Sequence, residues 1–184
     1  MRIITGIAKG CKLKAPKGLV TRPTADRVKE SLFSIIQNQI YASNVLDIFA
    51  GSGNLGLEAL SRGANKAFFV DQSLDSICVI KDNAEHTKLI ERCNIYKMDV
   101  FSALSKFMNM DLRFDLVFCD PPYHKGLSEK VLVLLDDLTI LSNEALVIIE
   151  HSREDKLSEN LKYLNLKKQQ KYGTTIISIY QYNK

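Results

Sequence analysis

Apolar residues along this chain follow two different periods, and the change between them divides it. From Arg2 to Leu13, apolar and polar positions alternate loosely around Gly6 and Gly10, which predicts a short hairpin. Residues 15–23 carry Pro16, Gly18 and Pro23 and read as a loop. Thr24 is a good helix N-cap, and Val28, Leu32, Ile35 and Ile36 follow it at helical spacing. Beyond that helix, short apolar runs alternate with helical stretches. Strands are predicted at residues 44–49, 66–70, 94–98, 114–119 and 145–150. Helices are predicted at 54–62, 74–89, 101–108, 127–138 and 156–164, with Ser73 capping the second and Gly63 stopping the first. Two final runs, 166–172 and 174–182, flank Gly173, and the second is rich in Thr, Ile and Tyr.

Repeated strand–helix units imply a parallel sheet with helices on both faces. The expected fold is therefore α/β and Rossmann-like: a mostly parallel seven-stranded sheet to which the C-terminal hairpin adds an antiparallel strand. One domain over 1–184 is expected, with residues 1–23 forming a hairpin and loop ahead of a core at 24–184.

Length and composition agree. A chain of 184 residues with 46% hydrophobic and 25% charged residues is ordinary for a globular protein. No apolar run reaches the roughly 18–20 residues needed to span a bilayer, and the first residues lack a signal-peptide core. A cytoplasmic location is expected. Cys11, Cys78, Cys93 and Cys119 form no Cys-x-x-Cys pair, so neither a metal site nor a disulfide framework is expected, and Cys119 reads as a reduced core thiol.

Charge changes the picture more than composition does. The net charge is only +4, yet residues 1–29 hold eight Lys or Arg against the single acid Asp26. Residues 161–184 hold five Lys and no acid, and the middle is acidic. A basic arm ahead of an acidic body suits a polyanionic partner. Arg2, Lys9, Lys12, Lys14 and Arg22 are the candidate contacts to a nucleic-acid backbone, which position without reading sequence.

The strongest local motif is Asp47-Ile48-Phe49-Ala50-Gly51-Ser52-Gly53-Asn54-Leu55-Gly56, a strand running through a glycine turn into a helix. Ligands of open α/β sheets sit beyond the C-terminal ends of the strands. Gly51-x-Gly53-x-x-Gly56 also matches the dinucleotide fingerprint, and Asp71 lies where an acid would hold a ribose. A nicotinamide oxidoreductase is a fair reading of these features alone. Asp47 argues against it, because a carboxylate beside the turn suits a cationic group such as a sulfonium or ammonium and would repel a pyrophosphate.

The fourth strand ends in Asp120-Pro121-Pro122-Tyr123. Two prolines stiffen the turn. The Asp120 carboxylate and the Pro121 carbonyl then form an acceptor pair that matches the two hydrogens of an exocyclic amino group. Tyr123 offers a face on which a base can stack. Holding both hydrogens favours a pyramidal nitrogen able to attack a methyl group in line, so positioning and electrostatics carry the chemistry. Asp99, ending the third strand, is placed to accept from an adenine amino group, with Met98 or Val100 near the ring. Asp115 reads as a turn residue, and His124 as a surface histidine.

These motifs resemble the class I S-adenosylmethionine-dependent methyltransferases: 47–53 resembles their first motif, Asp71 their acidic second-strand residue, and 120–123 the signature of amino-group methylating members. Residues 2–6, Lys9-Gly10, Lys12-Leu13, 22–33 and 57–64 resemble the bacterial family that methylates guanine N2 in 16S ribosomal RNA. The resemblance covers nearly the whole chain and is weakest after Ser152. It implies a monomeric enzyme acting on 16S ribosomal RNA, within a partly assembled small-subunit particle, with S-adenosylmethionine as cofactor. The catalytic set is then Asp120, Pro121, Pro122 and Tyr123. The cofactor set is Asp47, Phe49, Ala50, Gly51, Ser52, Gly53, Gly56, Asp71, Gln72, Asp99 and Val100, with Thr24 and Arg27 folding over. The 120–123 motif alone leaves adenine N6 on DNA or RNA open as the target, and a non-catalytic RNA-binding factor remains a further alternative.

Overall fold

The structure is a computed structural model that describes residues 1–16, 24–122 and 126–184. Seven strands form one sheet in the order β3-β2-β1-β4-β5-β7-β6. Five are parallel: β1 (Asn44–Ile48), β2 (Lys66–Asp71), β3 (Cys93–Lys97), β4 (Phe114–Cys119) and β5 (Leu141–Ser152). The last two, β6 (Leu164–Tyr172) and β7 (Thr175–Tyr182), are antiparallel, with β7 beside β5 and β6 at the edge. The alternation of strands and helices read from the sequence is thus observed, and the terminal hairpin contributes two antiparallel strands.

Helices cover both faces. On one lie α1 (Thr24–Ile35), α2 (Asn54–Ser61) and α3 (Leu74–His86), packed through Leu32, Phe33, Leu57, Leu60 and Ile80 onto Val45, Phe69 and Phe118. On the other lie α4 (Val100–Asn109) and α5 (Leu127–Asp137), meeting Leu46, Ile48, Val117 and Ile149. This second layer is built around aromatics: Phe107 meets Phe68, Tyr96 and Phe114 edge-on with centroids 5.2–6.0 Å apart. Such edge-on geometry suits ring quadrupoles. Central strands are apolar on both sides because both faces are covered.

The first residues form the predicted hairpin in abbreviated form. Arg2 and Lys12 pair across an antiparallel bridge, and Ile3 donates its amide to Cys11 O at 3.0 Å. This arm lies along α2, with Ile3, Ala8 and Leu13 buried in the first core layer.

One predicted element is absent. Residues 156–164 form no helix. Instead, the Asp136 carboxylate at the end of α5 accepts the amides of Lys162, Tyr163 and Leu164 at 2.6–2.8 Å and leads the chain into β6. Asp115 lies within β4 rather than in a turn, and its carboxylate accepts the Asn44 amide at 2.8 Å. Cys119 is buried and free, as expected, and burial pushes its thiol well above the ordinary range. Among the described residues, no helix is long and apolar enough to cross a membrane, and no cluster of His, Cys, Asp or Glu could hold a metal ion.

Candidate active site

Parallel register brings the motifs together. Ile48 pairs with Val70 on one side and Cys119 on the other, and Cys119 pairs with Ile149. The next residues are therefore level along the C-terminal edge of the sheet: Asp71 on β2, the glycine turn after β1, Asp120 after β4 and Glu150 on β5. Side chains alternate across a strand. Asp47, Asp120 and Glu150 share parity with Val45, Phe118 and Ile148, whose side chains pack on the α1–α3 face. The crevice expected beyond the strand ends is thus floored by carboxylates.

The turn itself is strained where it must be tight. Phe49 has φ +58°, a left-handed backbone that costs a residue with a Cβ about 1–3 kcal/mol, and Gly51 and Gly53 follow with φ +56° and +73°. Two carboxylates hold it. Asp71 accepts the Gly51 amide at 2.9 Å through Oδ2 and the Ser73 amide at 2.8 Å through Oδ1. Asp47 Oδ2 accepts the Gly56 amide at 2.9 Å, inside the first turn of α2. A Cβ on Gly56 would lie 2.4 Å from Phe69 Cε1 and 3.1 Å from Asp47 Oδ2. The third glycine is therefore needed for helix–sheet packing and for that carboxylate contact.

Electrostatics along the edge are one-sided. Asp47 is only 3% exposed. Burial, and secondarily the charge of Asp71, push its carboxyl up to about 7 against the opposing Gly56 hydrogen bond. Asp120 keeps an open side toward solvent but is crowded by protein elsewhere. That crowding, then the charges of Glu150 and Asp47, hold its carboxyl well above the usual range. Perturbed carboxyls gathered in a cleft are a mark of functional sites.

The other expected site residues are placed as follows. Pro121 is buried and Pro122 exposed beside Asp120. Ala50 donates its amide to Val70 O at 3.1 Å, and Ser52 is buried within the turn. Gln72 is exposed directly after Asp71. Asp99 is exposed at the same edge, where its Oδ1 caps α4 by accepting the Phe101 and Ser102 amides at 2.9 and 3.1 Å. Val100 is buried as the first residue of α4. Arg27 is exposed on α1, which begins at Thr24. Tyr123 and His124 lie outside the described residues, as does Arg22.

Of the expected backbone-contacting cations, Arg2 sits 3.5 Å from Asp26 and Lys14 Nζ 2.7 Å from Asp82, both as exposed pairs. Such pairs hold a side chain only weakly. Lys9 and Lys12 are exposed and have no ion-pair partner among the described residues. Lys12 and Lys14 also line a groove of about 450 Å³ with Asp82, Asn83, Glu85 and His86 of α3.

Four residues that tie the arm to the body were not singled out from the sequence. Glu58, fully buried on α2, accepts the Ile4 amide at 2.8 Å and the Thr5 amide at 3.1 Å. It also pairs with Lys29 at 3.0 Å and Arg62 at 2.8 Å. The Arg62 guanidinium lies 4.7 Å from the centroid of Phe33. Asn83 on α3 bonds both backbone groups of Lys14 and donates to Ser52 O at 2.9 Å. A signal for Glu58 was present: α2 is apolar nearly all round, and a helix of that kind is buried on every side.

Known proteins with this sequence pattern can now be compared. Residues 1–181 match the protein family described as "Conserved hypothetical protein 95". YlbH of Bacillus subtilis (strain 168), named provisionally as an rRNA methyltransferase, is 38% identical over 181 residues, 98% of each chain. "Ribosomal RNA small subunit methyltransferase D" of Escherichia coli (strain K12) is 34% identical over 186 aligned residues, covering 98% of this chain and 89% of that one. The solved structure of yhhF from Escherichia coli, provisionally named a methyltransferase, superimposes with a TM-score of 0.84 at 33% identity, covering 100% of this chain and 98% of the other.

Proposed function

Because this chain belongs to the family of ribosomal RNA small subunit methyltransferase D, we propose that it methylates ribosomal RNA, using S-adenosylmethionine to modify the N2 amino group of a guanine in 16S RNA. The observation that carries the reading is the level placement of Asp120 and Pro121 beside the glycine turn, on the adjoining strand of one sheet edge.

The residues present fit the cofactor. The turn is shaped by carboxylates and by a glycine whose Cβ would strike Phe69, and the carboxyls crowded along the edge would gain charge beside a cation but not beside a dinucleotide's pyrophosphate. Asp71 would hold the ribose hydroxyls, Asp99 and Val100 the adenine, and the 49–53 turn with Asp47 the amino-acid end. Gln72, Gly56, Thr24 and Arg27 complete the surroundings. When bound, S-adenosylmethionine supplies an electrophilic methyl group on a sulfonium.

The chain's own part is orientation. Asp120 and the Pro121 carbonyl accept the two amino hydrogens, Pro122 stiffens the turn, and Tyr123 stacks on the base. That arrangement draws the nitrogen lone pair out of the ring and aims it. An ionised Asp120 is the stronger acceptor, the incoming amino group stabilises that form, and its carboxylate can take the proton that the nitrogen sheds once the methyl group has moved from sulfur to nitrogen. Arg2, Lys9, Lys12, Lys14 and Arg22 meet RNA phosphates, the substrate is RNA within a small-subunit particle, and the enzyme works as a cytoplasmic monomer.

The test is transfer of tritium from labelled S-adenosylmethionine to small ribosomal subunits from cells lacking this protein, followed by nucleoside analysis. Label in N2-methylguanosine is expected. Label in N6-methyladenosine overturns the base, and no label in any nucleoside overturns the substrate.

A further inference from the structure

The basic arm is an appendage and the glycine turn the heart of the sheet edge, and they touch where Ser52 Oγ donates to Met1 Sδ at 3.7 Å. Two buried side chains join them further, one to each strand of the arm. Lys29, on α1 and only 2% exposed, uses its ammonium on three acceptors. These are Arg2 O at 2.6 Å, Asn54 Oδ1 at 2.7 Å and Glu58 Oε2 at 3.0 Å. Asn54 is the first residue of α2, directly after Gly53. The outgoing strand of the arm is therefore fastened to the end of the glycine turn.

Asn83 does the same for the returning strand. Its Oδ1 accepts the Lys14 amide at 2.9 Å, and its Nδ2 donates to Lys14 O at 3.0 Å and Ser52 O at 2.9 Å. Asn83 is 1% exposed, so its amide makes these bonds in a water-poor setting. Glu58 aside, the groups that the staples join are backbone or one short side chain, which transmit position with little slack. Between the staples, Glu58 holds the Ile4 and Thr5 amides. The far end of the arm meets α2 closely: a Cβ on Gly6 would fall 1.8 Å from Ser61 O.

A buried ammonium is costly unless fully paired, and a buried amide must spend each donor and acceptor. Both groups here are fully engaged, and burial lowers the Lys29 pKa against the opposing pull of Glu58. Such groups fix one geometry rather than add net stability. What they fix is the position of Arg2 and Lys12, a bridged pair on the arm, relative to the turn.

Resting on the function proposed above, we infer that Lys29 and Asn83 are positioning residues: they set the distance from RNA phosphates held by the arm to the methyl donor held by the glycine turn, and so select which guanine reaches Asp120. Neither needs to touch RNA or the transferred methyl. A misplacement of about 1 Å at such a joint costs up to roughly a hundredfold in rate.

The experiment compares Lys29→Met, Asn83→Ala and the double variant with the unaltered protein. Three quantities are read: kcat/KM on unmethylated small subunits, the Kd for S-adenosylhomocysteine, and hydrogen exchange at the Ile4 and Thr5 amides. Each single variant is expected to lower kcat/KM by roughly tenfold to a hundredfold. Cofactor-product Kd should stay within about threefold, and arm exchange should quicken. The double variant should lose little more than the worse single one, because both staples serve one arm. A parallel fall in cofactor affinity would overturn the inference, since the residues would then serve the turn alone. Unchanged kcat/KM with a freed arm would overturn it too. If Lys29→Met does not fold, Asn83→Ala, acting on the other strand, carries the same outcomes. If the unaltered protein labels no subunit, the proposed function fails by itself, and exchange at Ile4 and Thr5 still shows whether the staples hold the arm.

Discussion

Asp47 and Glu58 stand on either side of the start of α2, both nearly without exposed surface, at 3% and 0%. They are treated in opposite ways. Glu58 meets two cations and two backbone amides, so its charge is compensated from every direction. Asp47 receives one amide, from Gly56, and faces the charge of Asp71. Asp120 is handled like Asp47, with Glu150 and Asp47 as the charges that act on it. The difference separates a carboxylate that builds the protein from carboxylates kept out of balance. A carboxyl held toward its neutral form in a cleft is drawn into its charged form by an incoming cation, such as a sulfonium cofactor, or by a hydrogen-bond donor.

The comparison can be broken at its functional end first. Asp120→Ala should lower methyl transfer by more than about a hundredfold, as removal of a preorganised electrostatic partner does. Cofactor-product binding, measured by calorimetry, should remain within about threefold. Substantial activity in that variant would remove Asp120 from the reaction.

At the structural end, Glu58→Ala strands Lys29 and Arg62 and the Ile4 and Thr5 amides. Breaking a buried pair from one side costs about 3–5 kcal/mol. A domain of this size should then melt roughly 10 °C lower, read by calorimetry. An unchanged melting point would mean that Glu58 is not the compensated centre described.

The smallest effect sharpens the contrast through pH. Asp47 titrates near 7 in the folded protein against 3.8 as its ordinary value. A raised carboxyl pKa favours the folded state when protonated. Its contribution is therefore full below about pH 4 and is lost as pH rises through about 7, by roughly a few kcal/mol. Asp47→Asn should flatten this part of the stability profile measured by urea unfolding between pH 4 and 8. A profile of unchanged slope would show that Asp47 is compensated after all.

How much of this was legible in the sequence depends on whether a residue's role is local. Asp71, Asp99 and Asp120 each close a predicted strand, and a parallel sheet must then gather them at one edge. Ser73 and Asp99 cap helices through their own neighbours. Residues 156–164 misled, because Leu157, Leu161 and Leu164 keep helical spacing while the three amides nearest β6 go to Asp136, far away in the chain. Tertiary bonding outweighed a weak local preference. Lys29 and Asn83 were hidden for the same reason. A Lys or Asn on an amphipathic helix reads as a solvated position, and only the arm folding back over α2 turns it inward.

The basic tail acquires a different meaning once β6 is seen at the edge of the sheet. An outer strand offers a row of unsatisfied backbone groups on which another chain can template itself. Here Lys167, Lys168 and Lys171 stand exposed along β6 beside the exposed Leu166. Their mutual repulsion between copies guards the edge against self-assembly. Three of the five lysines in the second basic cluster thus have a role in the fold that calls for no nucleic-acid partner.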